Sequence, residues 1–270
     1  MAASEPAKGR YTHGHHASVL GSHARRTAGD SAAYLLPLLK PGLRLLDVGC
    51  GPGTITADLA RAVGGTAVGL EAVPAPLDTA RATLAGIDGA ALALGDVTSL
   101  PFGDDSFDVV HAHQVLQHLT DPVAALREMA RVCRPAGTVA ARDADYAAMA
   151  WYPRLSGLDR WAQLYQRVAR SNDAEPDAGR HLRSWAEQAG LRDLRLSASA
   201  WCWATTDQVS WWAESWAERS VASDFARQAV ERRLATPDDL EAIAEAFRAW
   251  GTAPGALFVI PHVELLGSPA

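Results

Sequence analysis

A run of three closely spaced glycines carries the clearest chemistry in this sequence. The stretch Leu45-Leu46-Asp47-Val48-Gly49-Cys50-Gly51-Pro52-Gly53-Thr54 passes from an apolar run directly into a helical pattern. Gly49, Gly51 and Gly53 allow unusual backbone angles and let a ligand approach the main chain, while the helix that follows offers N–H groups with no partner of their own. Such a turn suits a nucleotide-like ligand. The next apolar run ends in Glu71, where a ribose-binding carboxylate is expected in such units, its two oxygens matching two hydroxyls. The run after it ends in Gly95-Asp96-Val97, and Asp96 is placed to accept from an adenine amino group. Each acid alone reads equally well as a loop cap. Together Asp47, Glu71 and Asp96 sit at three successive run ends, which favours a ligand site.

Other reactive residues give a more open picture. His118 follows the fourth apolar run by a short loop, and an imidazole there could take a proton from a reacting group, since its ordinary pKa is near neutrality. It could equally tie the loop to the sheet. Asp143 ends the fifth run and faces the same crevice by the carboxyl-end rule for open sheets. The cluster Tyr11-Thr12-His13-Gly14-His15-His16 is poor as a metal site, because adjacent histidines cannot all converge on one ion and no distant ligand can be named. No metal is expected. No serine sits in a nucleophile-elbow context, so hydrolase chemistry is disfavoured.

The elements that must position these residues alternate in type. Short apolar runs at Leu43 to Val48, Thr66 to Glu71, Ala90 to Gly95, Phe107 to Ala112 and Thr138 to Arg142 read as parallel strands. Candidate helices lie between them at Thr54 to Val63, Ala75 to Leu84 and Asp121 to Cys133, the last with an Asp N-cap and Pro122 at its first position. Two late strands are expected at Leu194 to Ala200 and Leu257 to Leu265. Helical spacing marks Leu155 to Ala169, Gly179 to Ala189, Asp207 to Arg219, Ala222 to Leu234 and Pro237 to Trp250, with Thr236 to Asp239 as a helix start. The expected fold is α/β, a Rossmann-like doubly wound sheet of seven strands, the last antiparallel, with a helical cap. Residues 1–40 read as an N-terminal lid, 41–143 as the ligand-binding core, and 144–270 as the rest of the core with a substrate cap.

These motifs resemble the class I S-adenosylmethionine-dependent methyltransferases of the ubiquinone/menaquinone-biosynthesis, or type 11, group. The resemblance rests on Asp47 to Gly53, Glu71, Asp96, Leu100-Pro101-Phe102, Ser106 to Val110, Val115-Leu116-Gln117-His118-Leu119, Asp121-Pro122 and Arg131 to Gly137. It is strong from Leu36 to Asp143 and weak elsewhere, and Ala136 departs from the usual Pro-Gly-Gly turn. It implies S-adenosylmethionine as cofactor and S-adenosylhomocysteine as product. The backbone around Gly49 and Ala112 or His113 would hold the methionine portion, with Asp47, Gly51, Thr54 and Gln114 nearby. Glu71 and Ala72 would hold the ribose, and Gly95, Asp96 and Val97 the adenine. Tyr11, and His15 or His16, would close a lid. In some relatives an acid at Asp143 pairs with a histidine, here His118, which makes both catalytic candidates. The sulfonium is already an activated donor, so the protein need only align the acceptor, exclude water and sometimes take a proton.

Composition narrows the partners. A net charge of −6 over 270 residues, with the basic residues scattered, argues against nucleic acid. Three distant cysteines without C-x-x-C spacing indicate neither disulfides nor zinc and fit a cytoplasmic setting. No apolar run is long enough to span a bilayer. Nine tryptophans, five of them from Trp201 to Trp216, read first as helices docking on a core and second as an aromatic-lined substrate pocket. The expected partner is a small molecule, and the assembly a monomer or homodimer. An aromatic acceptor of the indole or phenol type in secondary metabolism fits the tryptophans. Two alternatives stand: a non-catalytic cofactor-binding partner protein, and an NAD(P)-dependent dehydrogenase. The dehydrogenase fingerprint places its third glycine three residues after the second, whereas Gly51 and Gly53 are two apart.

Overall fold

The computed structural model of the chain describes Thr12, Gly14 and residues 16–270. Tyr11, His13 and His15, singled out above, lie outside the described residues. Helix α1 (Ala17–His23) and the single turn α2 (Ala28–Ser31) precede the alternating part of the chain. This part comprises β1 (Arg44–Val48), α3 (Thr54–Val63), β2 (Thr66–Glu71), α4 (Leu77–Leu84), β3 (Ala90–Leu94), β4 (Phe107–His113), α5 (Pro122–Val132) and β5 (Cys133–Ala144). It is followed by β6 (Ala150–Tyr152), α6 (Ser156–Arg170), α7 (Leu182–Ala189), β7 (Arg192–Trp203), α8 (Thr206–Ala222), α9 (Asp224–Glu231), α10 (Pro237–Gly251) and β8 (Leu257–Ser268).

The sheet has eight strands in the order β3-β2-β1-β4-β5-β8-β6, with β7 on the other side of β8. Strands β1 to β5 pair in parallel, and β8 runs antiparallel between β5 and β7. The Rossmann-like sheet with an antiparallel last strand is therefore as expected. The additional strand is β6, whose three residues pair with the start of β8. Three residues before a proline carry no period that sequence could reveal. Winding goes from β1 outward to β3, then returns through β4 to the other side. The crevice at the carboxyl ends of β1 and β4 is thus the topological switch point, where open sheets of this kind bind ligands.

Two apolar clusters sandwich the sheet. One gathers Leu45, Leu59, Val63 and Ala140 with Leu35, and the other gathers Val48, Val110, Leu126 and Met129 with Leu182 and Ala186. The second cluster draws α7 onto α5. This sets α7 apart from the late helical segments that sequence grouped as a cap. The other late helices share a third cluster built around Trp161, Trp216, Trp250, Phe247 and Phe258, all at most 1% exposed. Burying side chains of this size contributes on the order of 1.5–3 kcal/mol each. Local chemistry fixes where these helices start. Thr205 and Thr236 form capping boxes with Gln208 and Asp239, and the Asp121 carboxylate accepts the N–H of Ala124 at 2.8 Å. Each such cap contributes about 1 kcal/mol.

Candidate active site

The glycine turn lies at the switch point, and its backbone is set by main-chain bonds. Gly49 and Cys50 donate their N–H groups to the carbonyl of Leu70 at 2.8 and 3.0 Å, so the turn is fastened to the end of β2. Gly49, Gly51 and Gly53 have φ of 69°, 51° and 79°, in the left-handed region that favours glycine. A Cβ on Gly49 would lie 2.4 Å from Cγ2 of Val115, whereas one on Gly51 would meet open space. A ligand can therefore approach the main chain at Gly51.

The three acids differ in their surroundings. Glu71, at the end of β2, accepts the N–H of Gly51 at 3.0 Å on Oε2 and that of Ala72 at 2.9 Å on Oε1. Its carboxylate is half-buried and held at the rim of the turn. Asp96 accepts both the N–H and the hydroxyl of Thr98, at 2.9 and 2.8 Å, on Oδ1. Asp47 is 3% exposed and takes the Thr56 hydroxyl at 2.5 Å on Oδ2, with Nδ1 of His111 2.8 Å from Oδ1. Asp47 thus braces the turn from β1 through a buried network.

A cavity of about 1690 Å³ joins the turn to the cap. Ligand pockets usually measure ~300–1,000 Å³, so this one has room for two small molecules. It brings together Asp47, Gly49, Gly51, Thr54, Glu71, Ala72, Gly95, Asp96, Val97, His113, Gln114 and His118. Asp143 is absent from the wall. It is fully buried and its Oδ1 accepts the N–H of Gln117 at 3.1 Å, while the amide Nε2 of Gln117 donates to Nε2 of His118 at 3.0 Å. The link between the two catalytic candidates therefore runs through Gln117.

Burial sets the charge states here. It pushes the Asp143 carboxyl up to about 8, against the opposing effect of the N–H groups of Gln117 and Leu116 and of the Arg142 cation. Burial, with the nearby Arg26 cation, pulls His118 down to about 3. His113 is also held well below the usual imidazole range by burial and by Arg26 and Arg142. Its ring lies 5.4 Å from Trp201 and 6.1 Å from His262. Gln114 adopts φ 53°, and its amide Nε2 donates to Nε2 of His262 at 2.8 Å. The Nδ1 of His262 in turn donates to the carbonyl of Ile260 at 3.0 Å. Neutral imidazoles and an amide therefore floor the middle of the cavity.

The opposite character appears where the cap meets it. Trp203 stacks on Trp212 with ring centres 4.0 Å apart and planes at 15°, and Trp216 stands edge-on to Trp212 at 5.9 Å. Trp212 and Trp216 pack in the cap core, as the reading of helices docking on a core has it, and they also line the cavity wall. Sequence reasoning missed Arg25, Arg26, Tyr146 and Arg219, which also line the cavity. Arg219 had a usable signal: it falls three and seven positions after Trp216 and Trp212, on the same helical face. Arg25 and Arg26, between α1 and α2, had none. Among the described residues no group of three or more His, Cys, Asp or Glu side chains could hold a metal ion, and no helix is long and apolar enough to cross a membrane.

Chemically, the cavity offers a glycine turn and two carboxylates for a ribonucleoside-like group at one end, and an aromatic, cationic chamber at the other. Comparison with known proteins agrees. Residues 46–141 match a family model described as a methyltransferase domain. The chain is 34% identical to an uncharacterized methyltransferase of Schizosaccharomyces pombe, covering 89% of each chain. It is 32% identical to the demethylmenaquinone methyltransferase of a Mycobacterium species, covering 63% of this chain and 70% of that one. Among solved structures, the YcgJ protein of Bacillus subtilis shares the fold with a TM-score of 0.58 at 17% identity, covering 87% of this chain and 96% of that one.

Proposed function

The chain belongs to the class I S-adenosylmethionine-dependent methyltransferases, and from that premise we propose that it methylates a small aromatic acceptor of the indole or phenol type. The membership replaces the dehydrogenase alternative. One observation carries the choice of acceptor: the cavity that begins at Gly49 and Gly51 runs on without a break to Trp203, Trp211, Trp212 and Trp216. Planar rings fit a wall of indoles, where offset and edge-on contacts each contribute ~0.5–1.5 kcal/mol.

The residues present fit the cofactor. S-adenosylmethionine, when bound, supplies a methyl group already activated on a positively charged sulfur. The open approach at Gly51 and the paired oxygens of Glu71 suit a ribosyl ligand. In this reading Gly49, Gly51, Thr54, His113 and Gln114 hold the amino-acid portion, with Asp47 bracing the turn. Glu71 and Ala72 hold the ribose, and Gly95, Asp96 and Val97 the adenine. Residues 41–143 form the cofactor half, and the cap helices after Asp143 the acceptor half.

His118 faces the acceptor as a neutral imidazole. A base held near pKa 3 removes protons weakly, so its contribution is a hydrogen bond that orients the acceptor. Asp143 acts on it through Gln117 as a positioning residue. The cap excludes water from the reacting atoms. Three free thiols, two of them buried, support the assignment to a reducing cytoplasm, and the tryptophan wall supports the assignment to secondary metabolism. A transfer assay with radiolabelled S-adenosylmethionine and a panel of indoles, phenols and aliphatic amines tests the acceptor class. Label carried to the aliphatic compounds and to none of the aromatic ones would reject it.

A further inference from the structure

Tyr146 stands where the two ends of the cavity meet. It opens a single 3-10 turn, Tyr146–Ala148, just beyond the end of β5. Strands β4 and β5 lie side by side in parallel, with His113 opposite Arg142, so the loops that follow them open together at the carboxyl edge of the sheet. Tyr146 lines the cavity from the second of these loops, as Gln117 and His118 do from the first. We propose that the Tyr146 hydroxyl donates a hydrogen bond to an oxygen on the acceptor, which makes the preferred acceptor an oxygenated arene, a phenol or a hydroxyindole, and Tyr146 the residue that selects it over a plain ring. This rests on the methyltransferase reading of the cavity and narrows its acceptor.

Both the ring and the hydroxyl of Tyr146 are fixed. The ring stacks on Tyr165, with centres 4.5 Å apart and planes at 8°, and Tyr165 belongs to the buried core of the cap. Burial pushes the Tyr146 phenol up, so it keeps its proton at neutral pH. The hydrogen bond with Tyr165 works the other way, as a bond received on the oxygen does, and a phenol that receives still has its own O–H to give. One short segment then holds Tyr146 level with His118. Glu175 donates its N–H to the carbonyl of Gln117 at 3.0 Å, the carbonyl of Pro176 accepts the N–H of Tyr146 at 3.2 Å, and the carboxylate of Asp177 accepts the N–H of Ala147 at 2.8 Å. Three consecutive residues therefore splint both loops and set the spacing between imidazole and phenol. The acids around this splint are committed elsewhere. Asp145 pairs with Arg180 at 2.7 Å, while Glu175 and Asp177 pair with Arg170 at 2.7 and 2.8 Å. A neutral O–H in a site of low polarity is satisfied by an oxygen of the acceptor, whereas a plain ring seated there leaves it without a partner at a cost in affinity.

Calorimetry on the full chain saturated with S-adenosylhomocysteine tests this, with indole and the hydroxyindoles that carry the oxygen on the benzo ring as probes of one ring with and without that oxygen. At least one hydroxyindole is expected to bind about threefold to tenfold tighter than indole, the size of one neutral hydrogen bond. In Tyr146→Phe, which keeps a ring on Tyr165, that advantage should vanish while the affinities for indole and for S-adenosylhomocysteine stay the same. Hydroxyindoles that all bind no tighter than indole to the unaltered protein, or binding of no probe, would overturn the proposal, and this comparison stands even if the variant does not fold. An advantage that survives in Tyr146→Phe would also overturn it, as would weakened S-adenosylhomocysteine binding in that variant, which would assign Tyr146 to the cofactor. Failure of the unaltered protein to bind S-adenosylhomocysteine at all would instead undo the methyltransferase reading.

Discussion

Asp143 accepts the backbone N–H of Gln117 at 3.1 Å, deep behind the cavity wall. Its carboxyl is pushed from 3.8 up to about 8 by burial. Between those values the folded protein keeps a proton that the unfolded chain has released, so this group lowers stability progressively as pH rises from about 4 to 8. Asp143→Asn keeps the acceptor oxygen and removes the titration. Its melting temperature relative to the unaltered protein should be higher at pH 8 than at pH 5, by about 3 °C or more, roughly 1 kcal/mol for a chain of this size. Scanning calorimetry at the two pH values checks this, and equal differences at both would show that Asp143 is ionised in the folded state.

His118 is predicted to matter for rate and little for cofactor binding. His118→Ala should lower kcat by about tenfold to a hundredfold, below the range of up to ten-thousandfold expected where a base does the chemistry. The imidazole is held near pKa 3, so the kcat profile of the unaltered enzyme should show no inflection between pH 5 and 7 from this group. Turnover, S-adenosylhomocysteine affinity and melting temperature measured side by side separate the roles. Near-normal turnover with a lowered melting temperature would reduce His118 to a loop tie.

Removing the Glu71 carboxylate takes away the acceptor that the N–H groups of Gly51 and Ala72 now share. Glu71→Ala should weaken S-adenosylhomocysteine binding by roughly 1–3 kcal/mol, from the polar groups left unpaired. Unchanged affinity by titration calorimetry would remove Glu71 from the cofactor site.

Gly49 tests the turn itself. A methyl group there would sit 2.4 Å from Val115 while forcing a residue with a side chain to hold φ 69°. The conformation alone costs about 1–2 kcal/mol, so Gly49→Ala should lower both the melting temperature and the affinity for S-adenosylhomocysteine. The control is Gly51→Ala, which meets open space and carries only the backbone strain. If Gly49→Ala were no more damaging than Gly51→Ala in melting temperature, Val115 would not be the constraint.

Much of the parallel sheet and its glycine turn was legible because their signals are local. A buried run, a glycine turn and a helix start lie within a dozen residues, and Asp121 and Thr236 cap helices by bonds to the next turn. The helical part after β5 was less so. Helical spacing placed α8 and α10, but could not tell that α7 joins the sheet side with Leu182 and Ala186, since a short apolar stripe fits either partner. Arg26 and Arg219 converge from opposite ends of the chain, and only the folded cap brings them to one wall. The same limit applies to Gln117, whose place between Asp143 and His118 depends on the loop conformation after β4 rather than on any spacing.

Strand β8 has a bearing on synthesis. It lies inside the sheet, between β5 and β7, yet both of those strands precede it in the chain. A nascent polypeptide that has not yet reached Leu257 leaves the edge of β5 open and β7 without a strand to pair with. Edges of that kind template pairing with other chains. Phe258, buried in the cap cluster, also arrives only then, so Trp161, Trp212 and Trp250 lack a shared packing partner until that moment. Truncation or ribosomal stalling within residues 252–257 should therefore yield aggregation and chaperone dependence out of proportion to the length removed.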